Sequence, residues 1–268
     1  MLNPTFIIHV TGWSVNTIIS WILSKCLGSE NVSIVTEKDV QTLSNTNTSE
    51  LLEAVVKTVN ECLAEAPRFG VEEPKSALGT SEVLEIVSRS KSDGSPSGSF
   101  WALGPLDGKM GSACGDQYAI SLSLIEDGEV VLGVLGCPNY PMKKDLFSYQ
   151  LSYQRMISML TPPASETWNK GCIIYAKRGS RKAWIQPLLH VNKKYVWPNQ
   201  AKQVSVSSVD NLASATFCQP IEKANSSHTF TEGLAQSLGL RCIFLCADFL
   251  YSNLTLQCRD KEVLRICI

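Results

Sequence analysis

The stretch that decides the reading is Phe100–Leu122, "FWALGPLDGKMGSACGDQYAISL". It holds an apolar run, a glycine-rich turn with a lone acid, Asp107, and the start of a second apolar run. Backbone N–H groups of an Asp107-Gly108-Lys109 turn suit a phosphate, and a carboxylate at a strand end suits a hard cation such as Mg2+. Three residues before Asp107, where a second metal-binding acid could sit, stands Gly104. Taken alone, an Asp-Gly turn beside a strand is most often only a turn.

Around this turn the β signal is strong. "QYAISLSLI", "EDG" and "EVVLGVLGCP" read as two apolar strands about an Asp-Gly turn. "GCIIYAKRGSRKAWIQPL" reads as a second hairpin turning at Gly179-Ser180, and "QVSVSSVD" as a further strand. Upstream, Val15, Ile18, Ile19, Ile22, Leu23 and Cys26 fall on one face of a helix that Gly28 stops. "NVSIV" is then a short strand ending at "TEKD", which places Glu37 just past a strand end. A helix is predicted over about Ser49–Ala64, with Leu52, Val55, Val56, Val59 and Leu63 on one face, and another over about Ser81–Ser88. Ser88–Ser99 reads as a polar loop. Met142–Lys170 lacks a period and reads as an irregular excursion. "HTFTEGLAQSLGL" reads as a helix, and the tail from Arg241 holds a strand or two.

The composition bounds the class. With 44% apolar and 18% charged residues, the 268-residue chain suits a globular fold of one large or two small domains. A net charge of −1 gives no field for nucleic acid or an anionic membrane. The ten cysteines form no C-x-x-C pair and read as reduced, buried thiols of an intracellular protein. Cys242 and Cys246 have no histidine nearby, which leaves little case for zinc. No stretch is expected to reach the length of a membrane span, and no signal or transit peptide is visible.

"WALGPLDGKMG" resembles the W-V-L-D-P-x-D-G-T-x-G signature of the inositol monophosphatase-like superfamily. "VTGWSV" and "SIVTEKDV" are similar to its V-T-x-A-D-W-S-V and S-I-V-x-E-E-D segments. "GDQYAISLSLIEDGEVVLGVLGCPNYPMKK", "TPPASETWNKGCIIYAKRGS" and "VSSVDNLASATFCQPIEKANSSH" resemble the plant-type 3'(2'),5'-bisphosphate nucleotidases. The resemblance runs in order from about Val10 to Arg241. It implies an α+β fold, layered αβαβα: a first domain with an antiparallel sheet flanked by helices (residues 1–170), then over 171–268 the remainder of the sheet and the incomplete start of a smaller α/β domain. It implies Mg2+ as cofactor and a nucleotide bisphosphate as small-molecule partner, with neither nucleic acid nor membrane involved. The implied reaction removes the 3'-phosphate of adenosine 3',5'-bisphosphate, in sulfur and nucleotide-phosphate metabolism. An Asp–Thr pair would activate water, and metal would stabilise the transferring phosphoryl group. Family members also suggest a cytoplasmic or organellar (mitochondrial or chloroplast) setting.

By this resemblance Glu37 and Asp107 are metal ligands, and the Leu106 carbonyl is a third. Gly108, Lys109 and His228 would face substrate. The departures are at the chemistry. Gly104 stands for the bridging Asp and Lys109 for the water-activating Thr, while "VTGWSV" carries no acid. The leading helix is expected to be absent or short. The S-x-x-K-Y and W-D-x-A-A-G segments are not recognisable past Arg241, which predicts a truncated C-terminal lobe. Three readings follow: a working nucleotidase, a non-catalytic phosphate-binding relative in which Lys109 replaces part of a metal's charge, or a non-functional fragment; the losses at the site favour a nucleotidase lineage whose activity is impaired.

Overall fold

Pro4 opens the first helix of the computed structural model, where its missing N–H costs nothing. The structure describes residues 4–28, 32–36, 43, 49–89, 92, 94, 97–109, 112, 118–141, 167–168, 170–188, 190–191, 194–195, 201–204, 216–220, 233, 236–237 and 242–246. These fall in two units. One comprises Met1–Cys114, Ala119–Leu135 and Lys177–Gly179; the other comprises Gly115–Tyr118, Gly136–Ala176 and Ser180–Ile268.

The first unit begins with α1 (Pro4–Leu27), β1 (Ile34–Thr36), α2 (Ser49–Leu63) and α3 (Thr80–Arg89). It continues with β2 (Ser99–Asp107), β3 (Ala119–Glu126) and the first part of β4 (Glu129–Pro141). Strand order is β1-β2-β3-β4. β1 pairs in parallel with β2, Ile34 beside Trp101 and Thr36 beside Leu103, so both strands point the same way. β2 and β3 are antiparallel, Leu103 opposite Leu122. The expected Asp-Gly turn joins β3 to β4. Asp127 and Gly128 have φ of 49° and 78°, the left-handed pair that a two-residue hairpin turn requires. Asp127 also accepts from Gly98 N–H at 2.8 Å, which ties the turn to the residue before β2.

Helices cover one face of this sheet. Leu23 of α1 packs with Ile34 and Leu103. On its other side α1 sets Trp13 and Trp21 among Val55, Val59 and Leu63 of α2 and Val83 and Val87 of α3. These α2 positions recur at i, i+4 and i+8, as their apolar period predicts. Asn60 locks the approach to α3. Its Nδ2 donates to Val56 O and Leu78 O, both at 2.9 Å, and its Oδ1 accepts from Leu78 N–H at 2.8 Å. Gly79 N–H then donates to Glu82 Oε2 at 2.7 Å, which satisfies a free donor at the start of α3.

Helix α1 corrects three expectations. It starts at Pro4 rather than near Val15, because Gly12 is carried inside the helix instead of delaying it. Its apolar positions Val15, Ile18, Ile19 and Ile22 are only half-buried, and Cys26 is exposed. The most sheltered arc is instead Trp13, Asn16, Thr17, Ser20 and Trp21. Packing between helices and sheet buries both sides of α1, so the apolar period alone does not choose the inner face. The sheltered hydroxyls bond within the helix: Thr17 Oγ1 donates to Trp13 O at 2.9 Å, and Ser20 Oγ to Asn16 Oδ1 at 3.3 Å. Finally, Thr5–Leu27 is long and apolar enough to cross a membrane, contrary to the expectation that no stretch reaches that length. A core helix meets the same criterion, and α1 buries two tryptophans in the core.

The second unit contains the end of β4, β5 (Thr167–Trp168), β6 (Lys170–Lys177, through Ala176), β7 (Ala183–Pro187), β8 (His190–Val191), β9 (Lys194–Tyr195), β10 (Lys202–Val204), β11 (Thr216–Pro220) and β12 (Cys242–Cys246). The hairpin β6–β7 is antiparallel as predicted, Ile174 opposite Ile185, and β10 pairs with β7. The excursion expected over Met142–Lys170 is not irregular at its end. Thr167–Trp168 pairs antiparallel with His190–Val191, and Lys170 opens β6. Residues 142–166 lie outside the described ones. Of the strand predicted at "QVSVSSVD", Gln203 and Val204 are described, in β10. Of the helix predicted at "HTFTEGLAQSLGL", Gly233, Gln236 and Ser237 are described, all helical. The predicted tail strand is present as β12, parallel to β11. The α+β class stands. The cysteine expectation holds for Cys137 and Cys172, which are buried, and fails for Cys26 and Cys62, which are exposed.

Candidate active site

Side chains on a strand alternate faces, so residues three apart, such as Gly104 and Asp107, would ordinarily point to opposite sides. Here they do not. The register runs from Gly104↔Ser121 directly to Asp107↔Ala119, with a bulge between. Three steps on β2 are thus spanned by two on β3. The extra residue restores the parity, and positions 104 and 107 share one face. Pro105 lies in the bulge, where a residue without an N–H is tolerated. Ala119 and Ser121 are on that same face, since opposed residues of a pair share a side. The other face carries Trp101, Leu103, Ile120 and Leu122 toward α1.

Asp107 ends β2 and is exposed. One carboxylate oxygen, Oδ1, accepts from Gly108 N–H at 2.8 Å. Gly108 turns the chain with φ 79°, a conformation that favours glycine. Lys109 then enters a helical turn that Ser112 N–H closes onto Gly108 O at 2.9 Å. Lys109 is exposed, and the Leu106 side chain is buried. The burial of Leu106 anchors the strand end that carries its carbonyl and Asp107. Gly104, Leu106, Asp107, Gly108 and Lys109 are therefore brought together as the sequence suggests. Glu37 and His228 lie outside the described residues. Thr36, which precedes Glu37, sits beside Leu103 in the parallel register.

Among the described residues no three His, Cys, Asp or Glu side chains gather as a metal-binding group. The donors at the turn are nonetheless all oxygens, the Asp107 carboxylate and the Leu106 carbonyl. Mg2+ is commonly held by one or two carboxylates, with water and substrate phosphate completing its shell, so the donor chemistry fits this cation.

Two features escaped the sequence reading. Ser121 stands opposite Gly104, and its signal is the alternation of "AISLSLI", which puts Ser121 and Ser123 on the Gly104 face. The second is a set of buried polar atoms, Ser14 Oγ, Asn16 Nδ2 and Thr36 Oγ1, with no hydrogen-bond partner among the described residues. Each costs about 1–3 kcal/mol unless water reaches it. Asn16 shares its arc of α1 with Leu23, which faces the sheet, and carries no apolar signal to announce its burial.

The bulged strand pair and acidic turn have a family. Residues 15–247 match the inositol monophosphatase family, and the chain belongs to it. Among curated proteins it is 47% identical over 234 residues to the 3',5'-bisphosphate nucleotidase AHL of Arabidopsis thaliana, covering 87% of this chain and 61% of that protein. It is 33% identical to 3'(2'),5'-bisphosphate nucleotidase 1 of the same plant, covering 87% of this chain and 60% of that protein. The chain spans about three fifths of the length of these relatives. Solved structures also align. SuhB of Mycobacterium tuberculosis does so with a TM-score of 0.37 at 15% identity, over 62% of this chain and 51% of that one. Inositol monophosphatase II of Staphylococcus aureus does so with a TM-score of 0.34 at 11% identity, over 81% and 63%.

Proposed function

We propose that this chain is a bisphosphate nucleotidase relative that holds a nucleotide bisphosphate at the Asp107–Lys109 turn and hydrolyses it poorly or not at all. The names of its Arabidopsis relatives support the ligand class. One observation carries the impairment: position 104 lies on the Asp107 face of the bulged strand and has no side chain. A cation there, Mg2+ by family resemblance, would polarise a phosphoryl oxygen. Asp107 and the Leu106 carbonyl would hold it, with Glu37 as a further acid. Gly108 gives the backbone room to approach a phosphate. Lys109 places an ammonium where the family resemblance calls for a threonine to position water. An ammonium attracts the phosphate dianion but takes no proton from water at neutral pH. A missing positioned base typically costs about 10²–10⁴ in rate.

Phosphate release from adenosine 3',5'-bisphosphate with Mg2+ is expected near background. Turnover of ordinary enzyme size, about 1 s⁻¹ or more, refutes the impairment. A second reading, binding without catalysis, is favoured by the exposed Lys109 on the turn. Millimolar nucleotide should then raise the melting temperature by mass action, and Lys109→Ala should weaken that shift. Identical melting with and without nucleotide removes the binding role.

A further inference from the structure

A Cβ built on Gly104 would fall on Ser121 Oγ, closer than real Cβ contacts come, while Ser121 Cβ and the Ser121 carbonyl remain at 3.8 and 4.0 Å. The space that a side chain at 104 would enter is therefore taken by one atom, the serine hydroxyl. That hydroxyl reaches across from β3 on the face that also carries Asp107. Ser121 is half-buried, and its hydroxyl bonds to none of the described residues. A hydroxyl oxygen is a hard donor of the kind that a Mg2+-sized cation or a phosphate oxygen engages.

We propose that Ser121 is the oxygen donor that takes the place of the absent acid at position 104, so that a cation at the turn is held by Asp107 and Ser121 from opposite strands. This rests on the reading of the Asp107 turn as a cation and phosphate site. It exchanges a carboxylate for a neutral oxygen: the position stays polar while one negative charge is removed from the site. It also couples the two residues. An acid at 104 and the serine rotamer seen here exclude each other, and only rotation of the hydroxyl or its removal admits the acid.

The test is Mn2+ binding to the purified full-length chain, read from loss of the free-ion paramagnetic signal, beside thermal melting without metal. Ser121→Ala should weaken Mn2+ binding about tenfold, the low end of what losing a supporting group costs a metal site. Its metal-free melting should match the parent. Ser121→Thr keeps the hydroxyl on a residue suited to a strand and should retain binding. Asp107→Asn should lose at least as much as Ser121→Ala. Gly104→Asp with Ser121→Ala should bind Mn2+ more tightly than Gly104→Asp alone. If Ser121→Ala binds like the parent while Asp107→Asn weakens, the inference falls and the site reading stands. If Ser121→Thr loses as much as Ser121→Ala, packing rather than an oxygen is responsible and the inference falls. If Asp107→Asn leaves binding unchanged, or the parent takes up no Mn2+, the site reading falls and the inference with it.

Discussion

Replacing Asn60 with alanine removes three hydrogen bonds from one side chain and tests how the helical layer is held. The Asn60 amide brackets Leu78, accepting from its N–H at 2.8 Å and donating to its carbonyl at 2.9 Å. Leu78 is 9% exposed, so alanine leaves a donor and an acceptor with little access to water. Each orphaned buried group costs about 1–3 kcal/mol. The bond to Val56 O adds little, because that carbonyl has its own helical partner to fall back on. Asn60 is itself half-buried, so water reaches part of the gap and the lower half of the range applies. The expected loss, about 1–2 kcal/mol for each of the two groups, is about 2–4 kcal/mol. Thr58→Ala is the matched control on the same helix. Its hydroxyl donates only to Ala54 O, one turn back, at 2.8 Å, and alanine favours helix more than threonine does. Urea unfolding followed by circular dichroism measures both. If Asn60→Ala lies within about 0.5 kcal/mol of Thr58→Ala, below the net worth of one hydrogen bond, the bracket on Leu78 contributes nothing and the reasoning fails.

Three further outcomes are expected. Gly171→Ala should destabilise by about 3 kcal/mol or more. It has φ +92°, and an added Cβ would meet the Pro138 carbonyl oxygen at 2.7 Å, an obstacle of backbone that cannot rotate away. Gly179→Ala has φ +77° and open space, and should cost only about 1–2 kcal/mol in urea unfolding, so equal losses at the two sites would contradict this. Cys62 is exposed at its surface, yet the protein packed around its thiol, and after that the charge of Glu61, push it above its ordinary value of 9.0. In the folded chain, Cys62 should therefore alkylate more slowly than in the urea-unfolded chain near pH 8, read by peptide mapping with iodoacetamide. The sign for stability follows: the fold prefers the protonated thiol, so this contribution is present below pH 9.0 and declines as pH rises beyond it. Gly104→Asp with Lys109→Thr should raise Mg2+ affinity without restoring phosphate release, because groups that act as a unit are not recovered by mending some members. Near-family turnover by that double variant would show that other residues of this chain supply the missing roles.

Local signals carried much of this structure. Asp127-Gly128 and Gly179-Ser180 announce their hairpins because few residues accept left-handed backbone, and Val55, Val59, Leu63, Val83 and Val87 announce buried faces by their spacing. What failed was tertiary in origin. The apolar spacing began at Val15, yet the helix begins at Pro4 and passes through Gly12. Ser14, Asn16, Thr17 and Ser20 looked like an outer face, yet they are buried. The glycine turn was legible, since Gly108 takes the left-handed backbone that its place after Asp107 suggests. Ser121 was not legible, because its relation to Gly104 exists only in the β2–β3 register.

The bulge between Gly104 and Asp107 makes the direction of the acid a matter of counting. Substituting any residue from 104 to 107 changes what the turn offers but leaves each position aimed as before. Straightening the bulge without changing the residue count would send Asp107 to the side of the sheet that carries Leu103 and Leu122, whereas deleting Pro105 leaves two regular steps and keeps Asp107 on the Gly104 face. Side-chain identity and strand register are thus held by separate constraints. A chain of this build can exchange its side chains letter by letter while the address of every letter is preserved, as the shared face of Gly104, Ser121 and Asp107 illustrates.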